Sequence, residues 1–190
     1  LGTVAYMAQL HIGTLSAAEH NLHRSINLCL EIADEFWEAV HHCYISPVLI
    51  YKGMWQEAEQ ELDKAQKVFD KHEQNNFVSV VRAYRALCFI LMAREVTVNN
   101  RLPVDNLKSP IQFASHALEL ADETARKHYP FPRDYVRAHW LLGAAYRADN
   151  KLTLAEENLS KALNLCRQIN AVDAEADILL ELARLSFAYA

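Results

Sequence analysis

The sequence predicts an all-α fold, a right-handed α-α superhelix (solenoid) of about four and a half stacked helix pairs. A block of the form Ala-Glu-x-x-Leu-x-x-small recurs at 18–25, 58–65 and 155–162, with a degenerate copy at 110–117. Only four glycines and five prolines occur in 190 residues, which favours long uninterrupted helices. Apolar and polar residues do not alternate over sustained runs, so strands have no support.

Each block is assigned to the second helix of a pair, and its two small residues, seven apart, share one face. A pattern such as Leu142-Gly143-x-x-Tyr146 marks the first helix, where the small residue permits close helix packing. Gly13, Gly53 and Asn150 stand five residues before a block and suit the left-handed turn between the two helices. The predicted helices are 2–12, 16–33, 36–51, 55–73, 76–94, 109–128, 133–148, 152–169 and 173–189.

The blocks imply one repeat domain over residues 1–190. Its repeats fall at about 1–34, 35–74, 75–129 and 130–170, followed by a terminal helix at 171–190. The block starts are separated by 40, 52 and 45 residues, and the extra residues fall in a predicted loop at 94–107 and a proline-rich crossing at 129–132. Because the sequence begins with Leu1, we expect it to be part of a longer protein.

The composition of the chain disfavours several classes of function. The formal net charge of -5 disfavours a nucleic-acid binder of the basic type. No run of about 18 apolar residues is present, so a membrane span is not expected. The four cysteines form no C-x-x-C pair, and Cys29 and Cys166 occupy equivalent block positions that hold Phe69 and Ala121 in the other copies. Such positions indicate reduced packing thiols and a cytoplasmic protein.

The helix-pair pattern resembles the tetratricopeptide repeat (TPR). Leu142, Gly143, Tyr146, Ala155, Leu159 and Ala162 match its signature positions at the right spacings. The family's early tryptophan and its proline after the second helix are absent, and the period is near 40 residues. This lengthened form is similar to repeats of bacterial and archaeal signalling ATPases and transcription activators. The resemblance implies a sensor or partner-docking module and says little about its ligand.

In this family the first helix of each pair lines a concave groove. The family's inward positions give these candidate partner-binding residues: Tyr51, Arg82, Arg85, Phe89, Arg137, Trp140, Arg147 and Arg184. Five are arginines, which suit carboxylates or phosphates and so an acidic protein or peptide. Alternatively, the arginines pair with helix acids or face water, and Trp140 and Phe89 are buried. Joint replacement of Arg85 and Arg137 by alanine is expected to weaken partner binding with little change in melting temperature.

Metal binding, cofactors and catalysis have weak support. His20 and His23 could share an ion, but the sequence supplies no assured third ligand. His41, His42 and Cys43 are adjacent on a helix and cannot converge on one ion, so solvated histidines are expected. No nucleophile elbow, phosphate loop, H-E-x-x-H or dinucleotide motif is present. We therefore expect no catalytic residues, no metal and no cofactor.

The preferred interpretation is a non-catalytic protein-interaction or ligand-sensing module of a larger regulatory protein, with a peptide or partner in the concave groove. A second interpretation is an oligomerisation scaffold, in which the exposed terminal helices, the helix at 173–189 among them, pair with another copy. A third and less favoured one is nucleic-acid binding through the arginine surface. Whether the 94–107 loop covers the groove stays open.

Overall fold

The structure is a computed structural model that describes residues 1–98, 110–127 and 130–189. In these ranges every regular element is helical, which confirms the all-α class. A short helix, α1 (Gly2–Val4), continues as a π-helical segment (Ala5–Gln9). The helices that follow are α2 (Leu15–Glu31), α3 (Glu35–Tyr51), α4 (Trp55–Lys71), α5 (Asn75–Val98), α6 (Pro110–Lys127), α7 (Pro132–Ala148), α8 (Leu152–Gln168) and α9 (Val172–Tyr189).

The helices pack in the order in which they follow one another, from α2 against α3 to α8 against α9. The odd-numbered helices also contact one another, since α3 packs on α5, α5 on α7 and α7 on α9. The largest group of buried apolar side chains extends from Ala5 to Ala145 and includes residues of odd-numbered and even-numbered helices. Within the described ranges, each helix is too short or too polar to span a membrane.

Small residues form the seams between neighbouring helices. The small residues of the recurring block are fully buried: Ala18, Ala58, Ala65, Ala117, Ala155 and Ala162. On α7, Gly143 lies so close to α8 that a Cβ built on it would stand 2.7 Å from Leu159 Cγ. The prediction that these residues permit close helix packing is therefore confirmed.

Two sets of turns join the helices, and the sequence predicted only one of them. Gly13, Gly53 and Asn150 have φ of 78°, 77° and 58°, as expected for left-handed turns. The turns after α2 and α4 use the same conformation at residues without that preference, Ala33 and Glu73, and the turn after α8 uses it at Asn170. In these turns the residue after the left-handed one donates its N–H to the carbonyl oxygen five residues before it, as Asp34 N does to Cys29 O at 2.9 Å. These hydrogen bonds override the residue preference.

Replacing Ala33 with glycine is expected to stabilise the fold by about 1 kcal/mol, because a Cβ at φ 55° is strained and this side chain is exposed. Ala17→Gly, at an exposed helical position of α2, is the matched control and should destabilise by about 0.5–1 kcal/mol. Urea unfolding of both variants measures the difference. Destabilisation of equal size in both would contradict the expectation.

Three predicted boundaries need correction. The predicted helix 2–12 is split into α1 and a π-helical segment, in which Leu10 N donates to Ala5 O at 3.0 Å, five residues back. The predicted loop at 94–107 begins too early, because α5 continues to Val98; residues 99–107 lie outside the described ranges. Pro132 of the predicted crossing is the first residue of α7, a position where proline is favourable. The remaining helix ends lie within two residues of the prediction.

Candidate functional site

The odd-numbered helices and the N-terminal segment enclose a cavity of about 420 Å³. We call it the central cavity. Its walls come from five parts of the chain: Tyr6 to Leu15 near the N-terminus, Pro47 and Tyr51 on α3, Tyr84 and Leu87 on α5, Arg133 to Trp140 on α7, and Ala171 to Asp177 at the start of α9. Most of these side chains are apolar or aromatic. Such a cavity can hold a small molecule or an inserted side chain.

The N-terminal segment lies across the row of odd-numbered helices. The Tyr6 ring stacks on Tyr44 of α3 with centroids 4.1 Å apart, and its hydroxyl forms a hydrogen bond with the Tyr84 hydroxyl of α5. Further on, His11 Nε2 lies 3.8 Å from Asp173 Oδ2 of α9. The N-terminal segment and the start of α9 therefore meet at the wall of the cavity.

A second cavity of about 490 Å³ adjoins the first. Its walls include Tyr44, Phe77 and Val80, and it shares Tyr6 and Arg137 with the central cavity. Tyr6 and Arg137 thus separate two spaces along the same row of helices.

Arg137 is the cation at the centre of this partition. Its Nη1 lies 3.1 Å from Asp134 Oδ1, one helical turn earlier, and its guanidinium carbon lies 5.5 Å from the centroid of the Tyr84 ring. Burial raises the pKa of Asp134 above its ordinary value, although the ion pair with Arg137 acts in the opposite direction. Burial also raises the pKa of Tyr44 to about 12. Arg137 is thus a cation already engaged by a carboxylate, beside a Tyr44 phenol that is un-ionised at neutral pH.

Three of the predicted binding residues line the central cavity: Tyr51, Arg137 and Trp140. Nε1 of Trp140 is buried and has no hydrogen-bond partner among the described residues. An unpaired buried donor of this kind destabilises by about 1–3 kcal/mol. The structure thus brings together side chains from α3 and α7 that the sequence had placed in a common groove.

The three predicted residues of α5 lie away from the cavity, which corrects their expected placement. Arg85 is buried against α4, where its Nε lies 2.7 Å from Glu59 Oε1 and its Nη2 bonds Asp63. The neighbouring positions 82 and 89 face α6: the Arg82 guanidinium carbon lies 5.9 Å from the Phe113 ring, and Phe89 stacks on the same ring at 5.3 Å. The positions of α5 that do line the two cavities are Asn76, Phe77, Val80, Tyr84 and Leu87.

The last two predicted arginines form a separate cluster between α7 and α9. Arg147 Nε lies 3.0 Å from Glu181 Oε2, and Arg184 Nη1 lies 2.6 Å from Glu181 Oε1. Neither arginine lines the central cavity. The alternative that the arginines pair with helix acids therefore describes Arg85, Arg147 and Arg184, and also Arg137 with Asp134.

Sequence reasoning missed several residues of the cavity wall. Tyr6 belongs to the atypical first helix, while Asp173 and Asp177 lie four residues apart on one face of α9. The 80, 84, 87 spacing of bulky residues on α5 was the available signal for its inward face. The motif positions of the family had favoured the stripe 82, 85, 89 instead.

The adjacent histidines His41 and His42 are buried, which corrects the expectation of solvated histidines. His41 Nδ1 lies 3.5 Å from Cys29 Sγ, and His42 bonds Glu61 through Nδ1 and lies 3.5 Å from Glu38 through Nε2. Burial acts to raise the pKa of Glu61, but hydrogen bonds from His42 and Lys64 outweigh it and lower the value. Among the described residues, no three His, Cys, Asp or Glu side chains are grouped so that they could hold a metal ion.

Acidification is expected to weaken the fold through His41. Burial is the main cause that lowers the pKa of His41 below 6.5, so the unfolded chain binds the proton first as the pH falls. The contribution of neutral His41 to the free energy of unfolding is fully present above the unfolded-state pKa, and it is lost as the pH falls through the folded-state pKa. We expect a lower urea midpoint at about pH 5.5 than at about pH 7.5, and a smaller difference in His41→Gln. An unchanged difference in that variant would contradict the assignment to His41.

Comparison with known proteins leaves the cavity as the main guide to function. No family model matches the chain, and no curated protein is significantly similar to it.

Proposed function

We propose that the chain is a TPR-like, right-handed solenoid of about four and a half helix pairs that acts as a binding or ligand-sensing module of a larger, cytoplasmic regulatory protein. The sequential packing of α2 to α9 and the direct contacts among odd-numbered helices support this architecture. The observation that carries the function is the central cavity, to which the N-terminal segment, α3, α5, α7 and α9 all contribute walls. Its occupant is a small molecule or an inserted segment of a peptide or protein.

The size of the cavity favours a compact occupant. At about 420 Å³ it lies in the lower part of the range of about 300–1,000 Å³ that is usual for small-molecule sites. The N-terminal segment already crosses the row of inner helices at Tyr6, which leaves less room for a long partner helix. A small molecule, or one or two side chains of a peptide, fits this space best.

Binding rather than catalysis is the proposed role, because the buried thiols and phenols of α3 and α5 are held un-ionised. Burial raises the pKa of the Cys43 and Cys88 thiols to about 12 each. The Tyr44 and Tyr84 phenols are also buried, and their pKa values are raised. A catalytic nucleophile requires the opposite change, a lowered pKa or a neighbouring base.

Filling the cavity tests the proposal. Ala174→Phe places a large ring at the α9 wall, whereas Ala183→Phe adds the same ring at an exposed position of the same helix. Native mass spectrometry of the protein incubated with a cell extract would reveal the bound compounds or peptides. We expect them in the unaltered protein and in Ala183→Phe, and at least tenfold less in Ala174→Phe. Equal occupancy in both variants would overturn the proposal.

Self-association through the terminal helices is the second candidate function. It is favoured by large apolar side chains of α9 that are exposed in the structure: Leu179, Leu180, Phe187 and Tyr189. Light scattering over a concentration series would show a growing molar mass, and Phe187→Ser should reduce it. Nucleic-acid binding has less support, because Arg85, Arg137, Arg147 and Arg184 already engage carboxylates.

A further inference from the structure

We infer that the central cavity selects a cationic ligand, a primary ammonium group carried on an apolar or aromatic body, rather than the anion that the arginine-rich sequence suggested. The ammonium group belongs either to a free amine or to a lysine side chain of a peptide. The inference rests on the proposed function, since it assigns the chemical class of the occupant. The support for this inference is the set of charged side chains on the cavity wall and the partners that these side chains already have.

The guanidinium groups on the wall already have carboxylate partners. Arg133 Nη1 lies 2.8 Å from Asp173 Oδ2, and Arg137 Nη1 lies 3.1 Å from Asp134 Oδ1. An anionic ligand would have to approach both arginines against these neighbouring carboxylates. The attraction of the two arginines for an anion is therefore largely neutralised.

Asp177 is the wall carboxylate without such a partner. It lies one helical turn after Asp173 on α9 and forms no salt bridge or hydrogen bond with another described residue. Burial raises the pKa of Asp177, and the Arg184 guanidinium opposes this only through space. A half-buried carboxylate in a cavity gains most from a ligand that supplies a cation and hydrogen-bond donors.

Aromatic side chains complete the environment for an ammonium group. Tyr6, Tyr51, Tyr84 and Trp140 line the same cavity. The faces of such rings attract cations, as the Arg137 guanidinium over Tyr84 shows within this structure. Leu10, Leu87 and Val136 provide apolar surface for the body of the ligand.

A charge series on a constant apolar body provides the test. The probes are 2-phenylethylamine, the neutral 2-phenylethanol and the anionic 3-phenylpropanoate, added at millimolar concentration and followed by NMR shift titration. We expect the amine to bind at least tenfold more tightly than either analogue. The peptide acetyl-Leu-Lys-Leu-amide, with lysine at its centre, is a further probe. Tighter binding of this peptide than of 2-phenylethylamine would indicate that the ammonium group belongs to a peptide lysine. Tighter binding of 2-phenylethylamine would indicate a free amine.

Two variants locate the effect. Asp177→Asn keeps the size of the side chain and should weaken amine binding about tenfold or more, with little change for the alcohol. Glu175→Gln, on the same helix but paired with Arg167 at 2.8 Å, is the control and should bind the amine normally. Preference for 3-phenylpropanoate, or unchanged affinity in Asp177→Asn, would overturn the cation inference while leaving a ligand cavity. Binding of none of the probes would overturn both.

Discussion

Gly143→Leu is expected to destabilise the protein by about 3 kcal/mol, since overpacking of a close helix contact forces both helices to shift. A Cβ at position 143 would stand 2.7 Å from Leu159 Cγ and 3.1 Å from the Ala155 carbonyl oxygen. The backbone of α8 cannot move away as a flexible side chain could. The better helix propensity of leucine returns only about 1 kcal/mol.

Thermal and urea unfolding measure this change, and Ala148→Leu is the matched control. Ala148 is exposed at the end of the same helix, so its replacement should alter stability by less than about 0.5 kcal/mol. Equal stability of the two variants would show that α7 and α8 are not in the close contact described.

Arg137→Met is expected to destabilise the fold by about 3 kcal/mol or more. Methionine keeps most of the apolar stem but removes the charge, and Asp134 is then left as a buried carboxylate without its cation. This revises the sequence-based expectation that loss of Arg85 and Arg137 would spare the melting temperature.

A double-mutant cycle separates the charge effect from packing. Asp134→Asn combined with Arg137→Met should recover about 1–2 kcal/mol relative to Arg137→Met alone, because the unpaired carboxylate is gone. Arg167→Met is the control, since its ion pair with Glu175 is exposed and contributes less than about 1 kcal/mol. A loss at Arg167 as large as that at Arg137 would contradict the buried-pair explanation.

Much of the fold follows from local pattern. The small residues of the block predict the seams, as the complete burial of Ala58, Ala117 and Ala162 shows. Glycine and asparagine predict the left-handed turns at Gly13, Gly53 and Asn150. These features depend on neighbours within one or two helical turns, so the sequence contains the information. The turn at Ala33 escaped prediction because its backbone hydrogen bonds, rather than its side chain, fix the conformation.

The candidate site was predicted only in part. Tyr51, Arg137 and Trp140 line the cavity, whereas the α5 stripe 82, 85, 89 faces α4 and α6. The bulky residues at 80, 84 and 87 gave only a weak signal, because α5 is packed on several sides and buries residues on more than one face. The contact of the N-terminal segment with α9, at His11 and Asp173, joins positions far apart in the chain.

The sequence by itself determined the helical class, the helix order and the small-residue seams, because each depends on spacing along a single helix or turn. Only the tertiary structure decided which charges are free to act. Arg85 and Glu59 come from different helices, as do Arg147 and Glu181, and their pairing depends on how those helices rotate against each other. The same rotation leaves Asp177 on the cavity wall without an ion pair to any residue that the structure describes, since coulombic partners are chosen by distance in space rather than by distance along the chain.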